Sequence, residues 1–234
     1  MKMNLYQYVQ DFLGLFYPNT CLNCECLLYK SEKFICTNCL INLPIIGYFD
    51  KDKHPVEHIF HGRIKLFQAD AWLYFKKGGI SQKLMHELKY NGNYNLGVYL
   101  GSKYGQSLKK QECNELPDIV TFVPMHPKKQ RVRGYNQSQA IAEGFAKALG
   151  VPLHDNLIIK CKNSRTQTRK KKYERWDNSK DSYSLNSNVL DVKMNIGLID
   201  DVVTTGATLE ACSTLLKESG FEKTSVFALC LAIN

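Results

Sequence analysis

The sequence predicts an α/β fold, a doubly wound parallel sheet, preceded by a small cysteine-rich module. Three observations predict it. Apolar runs at 118–125, 195–199 and 224–232 alternate with helical patterns at 136–149 and 208–217, and strand–helix–strand alternation builds parallel sheets. Five of the nine cysteines crowd into residues 21–39. A chain of 234 residues, 44% apolar and 23% charged, buries a real core without disulfide staples.

Each element has a local reason. Leu5, Val9, Phe12, Leu13 and Phe16 recur at helical spacing, so a short amphipathic helix over 4–16 precedes Pro18. Residues 69–75 read as a strand, and 80–90 as a helix with Leu84 and Leu88 on one face, broken at 91–93. The run 118–125 is β-branched and aromatic and closes at Pro124, as a buried parallel strand does. From there to residue 136 the chain reads as a loop. Asn136 and Gln139 form a capping-box pattern ahead of the stripe Ile141, Phe145 and Leu149, and Gly150 ends that helix. Residues 163–183 are polar and basic, with no strand pattern. The expected division is a module over 1–45 and a sheet domain over 46–234.

Charge is concentrated. Of a net +9, residues 160–175 carry +7 and residues 128–133 another +4, which leaves the rest of the chain at −2. Two short segments therefore hold the whole surplus, and they point to contact with a polyanion. The longest apolar runs are short, as at 227–233, so no membrane insertion is expected. Gln10 and Asp11 interrupt the N-terminal apolar stretch and no small-residue cleavage site follows, so a cytoplasmic protein is expected.

Nine cysteines without a secretory pattern argue against a disulfide framework. Cys113, Cys161, Cys212 and Cys230 read as small core residues or bystanders. Cys21-x-x-Cys24 and Cys36-x-x-Cys39 are different. Each pair lets one tight turn offer two thiolates, and two turns complete a tetrahedron around a structural zinc. Cys26, with a poorer spacing from Cys21, is left out of the ligand set.

Residues 196–208 join an apolar strand to Asp200 and Asp201, and then to Thr204, Thr205, Gly206, Ala207 and Thr208 at the start of a helix. Backbone N–H groups of such a loop, threonine hydroxyls and a helix N-terminus make a phosphate cradle. The two acids would repel phosphate but accept hydrogen bonds from ribose hydroxyls. This stretch resembles the phosphoribosyl-pyrophosphate signature of type I phosphoribosyltransferases. The resemblance implies 5′-phosphate contact by residues 204–208, ribose contact by Asp200 and Asp201, with Val202 between these contacts, and magnesium on the ribose hydroxyls and pyrophosphate. Any catalytic role would fall on Asp200 and Asp201.

Residues 123–138 follow a strand and carry His126, Lys128, Lys129, Arg131, Arg133, Asn136 and Gln137. Arg131 and Arg133 suit pyrophosphate, because their planar forks bind phosphate oxygens bidentately. Asn136 and Gln137 also suit helix capping, and His126 ahead of a proline reads as a surface residue.

Together these features resemble the ComF family, the late-competence proteins of bacterial DNA uptake. The resemblance covers nearly the whole chain: Tyr17-Pro18, the four cysteines, Leu88-Lys89-Tyr90-Asn91-Gly92, the Arg133-Gly134-Tyr135-Asn136-Gln137 stretch, the Asp200–Thr208 signature, and Arg165-Thr166 with Arg175 and Asn178, which resemble the family's mobile segment. It implies a sheet domain of the type I phosphoribosyltransferase kind. It also implies cytoplasmic handling of single-stranded DNA during natural transformation, peripheral at the inner membrane at most. A DNA-uptake helicase or a recombination mediator is the expected protein partner. The DNA contacts fall on Lys128, Lys129, Lys162, Arg165, Arg169, Lys170, Lys171, Lys172 and Arg175, with Tyr173 and Trp176 as stacking platforms. Two other functions stay open: an active phosphoribosyltransferase on an unknown acceptor, and a regulator gated by the sugar diphosphate. For a transferase, Trp72, Tyr74 and Phe75 or Trp176 are candidates to stack the acceptor base, against ordinary core packing. Asp201 or His126 would then be the general base.

Overall fold

The computed structural model describes residues 18–47, 54–111, 115–161, 183–186 and 191–232. The helix expected over 4–16 lies outside the described residues, as do Cys113, Lys162, Arg165, Arg169, Lys170, Lys171, Lys172, Tyr173, Arg175 and Trp176. In chain order the described strands are β1 (Gln68–Tyr74), β2 (Ile119–Phe122), β3 (Ile158–Lys160), β4 (Tyr183–Leu185), β5 (Asn195–Val203) and β6 (Lys223–Leu231). The helices are α1 (Thr37–Ile41), α2 (Glu57–Phe60), α3 (Ile80–Tyr90), α4 (Tyr94–Lys109), α5 (Pro127–Arg133), α6 (Gln137–Leu149) and α7 (Ala207–Glu218).

Four strands form one parallel sheet in the order β1-β6-β5-β2. A parallel bridge from Val120 to Leu153 continues it past β2. The short strands β3 and β4 pair separately and antiparallel. Both faces of the sheet are covered. On one, the rings of Tyr104 (α4), Phe145 (α6) and Phe227 (β6) meet at centroid distances of 5.0 to 6.4 Å. On the other, Leu209, Cys212 and Leu216 of α7 pack with Leu198, Val226 and Ala228. Helices on both faces of a parallel sheet make the doubly wound α/β class.

The cysteine module is not a detached bead. Cys21, Ile35, Cys36, Cys39 and Leu43 share one hydrophobic cluster with Trp72, Leu84 and Leu88. Ile46 N–H donates to the Trp72 carbonyl, and Tyr74 N–H to that of Pro44, both at 2.8 Å. The module thus sits against β1 and the start of α3.

Several elements differ from the sequence reading. Residues 127–133 form a helix, not a loop: His126 caps it through Nδ1 on Lys128 N–H, proline occupies the first turn, and Gly134 closes it at φ 83°. Strand β5 runs through both aspartates to Val203, four residues beyond the apolar run, because pairing with β6 persists to Val203–Leu231. Backbone pairing in a central strand overrides the poor strand propensity of aspartate. Helix α4 has no counterpart in the sequence reading. Its face toward α6 is made of glycine: a Cβ on Gly101 would lie 2.0 Å from the Ile141 carbonyl oxygen. The expected capping box is half formed, since Asn136 accepts from Ser138 N–H while Gln139 lines a cleft.

Candidate functional site

Two turns bring the paired cysteines together. The Sγ atoms of Cys21, Cys24, Cys36 and Cys39 all lie within 4.8 Å of one another, and Cys24 and Cys36 are 3.7 Å apart. A zinc–thiolate tetrahedron with bonds of about 2.3 Å has edges near 3.8 Å, so the set fits such an ion. Donors already face the sulfurs. Cys36 N–H lies 3.3 Å from Cys21 Sγ, Cys39 N–H 3.4 Å from Cys36 Sγ, and Asn23 Nδ2 3.2 Å from Cys39 Sγ. Burial raises the Cys21 thiol, but backbone N–H groups of Cys24, Cys36 and Asn23 outweigh it and bring the group down to about 6. Cys26 Sγ lies 3.3 Å from Cys24. That contact pushes the Cys26 thiol up.

At the carboxyl end of β5 the strand alternation turns Asp200 and Asp201 to opposite faces. Asp200 Oδ1 accepts from Ser138 Oγ and from Asp201 N–H, both at 2.9 Å. Asp201 Oδ2 pairs with Lys89 Nζ at 3.0 Å. Burial, then the charge of Asp201, pushes the Asp200 carboxyl up to about 7. Beyond them Thr204 and Thr205 are exposed. Gly206 follows at φ 73°, directly before the 12-residue helix α7. The first-turn N–H groups of α7 have no acceptor within the helix, so the loop presents donors and the positive end of a helix dipole. Glycine is required at 206 twice over: L side chains disfavour this backbone, and a Cβ would lie 2.8 Å from Ile59 and Phe60.

Three further groups complete this end of the sheet, and sequence reasoning missed them. Arg63 donates to the Thr205 carbonyl at 2.6 Å and to that of Ile59 at 3.1 Å, and it pairs with Glu210. Lys160 Nζ donates to Tyr183 Oη at 3.2 Å, joining the inner ends of β3 and β4. Burial, with the negative charge of Asp200 nearby, holds the Tyr183 phenol well above its usual range. Lys89 belongs to a motif already noted, yet nothing local marked it as the partner of Asp201. Nor does any local pattern mark Arg63, which meets its loop across 142 residues of sequence.

The remaining candidates scatter. Lys128, Lys129 and Arg131 are exposed on α5. Arg133 turns back, with Nη1 on Gln137 Oε1 at 3.0 Å and its guanidinium 5.9 Å from the centre of the Tyr90 ring. Between β2, α5 and β3 lies a cleft of about 390 Å³ whose lining includes Met125, Gln130, Gln139, Asn156 and Lys160. Trp72 is buried and stacked on Tyr104 at 6.0 Å, while Phe75 and Tyr74 pack into different clusters. These three aromatics build the core rather than a common stacking surface.

The class of protein follows first from the architecture: a doubly wound parallel sheet with an acid pair and a threonine–glycine loop at its carboxyl edge, joined to a four-cysteine module. The particular family follows from relatives. Competence protein ComFC of Streptococcus pneumoniae is 30% identical over 215 residues, covering 87% of this chain and 90% of that protein. The chain belongs to this ComF family of competence proteins. Competence protein F of Haemophilus influenzae is 32% identical over 126 residues, and DNA utilization protein YhgH of Salmonella typhimurium is 29% identical over 150 residues. Those two matches span 53% and 63% of this chain, and 55% and 65% of the relatives. No family model matches the chain. Solved structures of similar fold include a phosphoribosylpyrophosphate amidotransferase from B. subtilis, 22% identical with a TM-score of 0.42, covering 61% of this chain and 30% of that one. Another is the adenine phosphoribosyltransferase of Trypanosoma brucei, 13% identical with a TM-score of 0.39, covering 69% and 83%. Among the described residues, no helix is long and apolar enough to cross a membrane.

Proposed function

We propose that this protein handles single-stranded DNA in the cytoplasm during natural transformation, and that it binds phosphoribosyl pyrophosphate with magnesium at residues 200–208. One observation carries the ligand reading. Strand β5 delivers two adjacent carboxyls, held by Ser138 and Lys89, beneath a threonine–glycine loop and the N-terminus of α7. Ribose hydroxyls are donors that a carboxylate accepts, and the 5′-phosphate suits the N–H groups above them. Magnesium seeks oxygen and takes few protein ligands, so bridging the ligand's own pyrophosphate and ribose oxygens asks little of the chain. The DNA reading is supported by the two basic segments and by relatives named for competence and DNA utilization. Zinc at Cys21, Cys24, Cys36 and Cys39 holds together the turns of the module over 1–45, which precedes the sheet domain over 46–234.

Calorimetry with phosphoribosyl pyrophosphate and magnesium tests the site. The double substitution Asp200→Ala, Asp201→Ala removes the ribose acceptors but leaves the phosphate cradle. Affinity for the sugar diphosphate is expected to fall while inorganic phosphate still binds weakly. Equal affinity in the two proteins counts against the site. Pyrophosphate released on adding candidate acceptors assigns the protein to the transferases.

A further inference from the structure

Tyr90 ends helix α3 in an unusual position. The residue is 67% exposed, yet the backbone that carries it is tied down on several sides. Tyr135 Oη donates to the Leu88 carbonyl at 2.6 Å, and Asn91 N–H to that of Glu87 at 3.2 Å. The adjacent residue, Lys89, is fixed by its pair with Asp201. The Tyr90 ring is also flanked by the Arg133 guanidinium at 5.9 Å, within cation–π range, and by the His86 ring at 4.9 Å.

We infer that Tyr90, with Arg133 beside it, is a stacking site for one nucleobase at the rim of the Asp200–Asp201 pair. An exposed aromatic face has affinity for any base, because every base has a π-face. The guanidinium serves the same ligand twice, since it stacks on planar groups and its fork binds phosphate oxygens. This is the role that the sequence offered to Trp72, which the fold buries. The inference rests on the proposed DNA and sugar-diphosphate reading, and it adds a specific contact to it. Two sources supply the same chemistry: a base within a single strand, or a free base brought to the sugar site.

The test uses the full chain with phosphoribosyl pyrophosphate and magnesium, titrated with three probes: a 15-residue oligothymidylate, its abasic counterpart, and thymine. Tyr90→Ala is expected to weaken the oligothymidylate by roughly 5- to 100-fold, to leave the abasic strand and the salt slope unchanged, and to be rescued by Tyr90→Phe. Loss confined to thymine assigns the site to a free base instead. A Tyr90→Ala protein equal to wild type on all three probes overturns the inference, while intact binding of the sugar diphosphate and DNA leaves the parent reading standing. Wild-type protein that binds neither the oligonucleotide nor the sugar diphosphate overturns the parent reading itself.

Discussion

Asp200 holds its proton close to neutrality, because burial and the charge of Asp201 push it up to about 7. A protonated carboxyl spends one oxygen as a donor and accepts less well, whereas ribose hydroxyls call for acceptors. Affinity for phosphoribosyl pyrophosphate is therefore expected to climb between about pH 6 and pH 8 as Asp200 ionises. Asp200→Asn should flatten the part of that climb that the ligand's own ionisation does not supply. A pH series of calorimetric titrations on both proteins checks this, and parallel profiles would refute it. For folding the sign is reversed. The folded carboxyl titrates above its unfolded value of about 3.9, so its contribution to stability is complete below that pH and is lost as pH rises to about 7. The site accepts this cost to keep an acceptor beside Ser138. The acid pair was legible in the sequence as a motif. Its neighbours Ser138 and Lys89, and Arg63 on the adjoining loop, were not, because they reach the site through tertiary packing and no spacing rule connects them.

At the scale of elements, legibility followed the chemistry of the buried face. Helices α3, α6 and α7 bury leucine, isoleucine and phenylalanine, and their periodicity announced them. Helix α4 packs on α6 through Gly97, Gly101 and Gly105, with Ala140, Ile141 and Ala148 among the atoms a Cβ there would meet. Its other buried side chains, Leu96, Leu100, Tyr104 and Leu108, recur every four residues, so the helix carried a periodic stripe that the sequence reading passed over. Helix α5 buries no residue at all and is specified by its caps. The β3–β4 pair has three residues on each side, far apart in sequence, and too little pattern for a strand. The cysteine turns were legible from spacing alone. Their test is Cys36→Ser, because serine keeps the cap that Cys36 Sγ offers to Cys39 N–H at the start of α1 while discarding a thiolate. Loss of metal by elemental analysis and faster proteolysis of residues 1–45 are expected. Zinc retained at one ion per chain would refute the ligand set.

The whole molecule is electrostatically lopsided. Outside residues 128–133 and 160–175 the chain has a net charge of −2, which gives no reason to approach a polyanion. Binding of single-stranded DNA is expected to depend on Lys162, Arg165, Arg169, Lys170, Lys171, Lys172 and Arg175. With about five phosphate contacts, log affinity should fall against log salt with a slope near −3.5, at about −0.7 per contact. Replacing Lys170, Lys171 and Lys172 with alanine should weaken binding and flatten the slope while sparing the small ligand. An unchanged slope would refute the assignment, even with DNA binding confirmed.

Arg63 has a consequence for the loop that its distances alone do not express. A trans peptide points its carbonyl and its N–H in opposite directions. By holding the Thr205 oxygen, Arg63 turns the Gly206 N–H away from itself and keeps a partial negative charge off any bound phosphate. Glu210, paired with the same guanidinium, keeps that clamp from swinging toward the anion. The side chain thus sets the polarity of a peptide bond without touching the ligand. Arg63→Met should cost phosphate affinity by about 1 kcal/mol, the worth of one hydrogen bond. Isothermal titration with inorganic phosphate reads that loss directly, and a peptide free to flip in the variant would leave phosphate facing oxygen where the wild type offers it hydrogen.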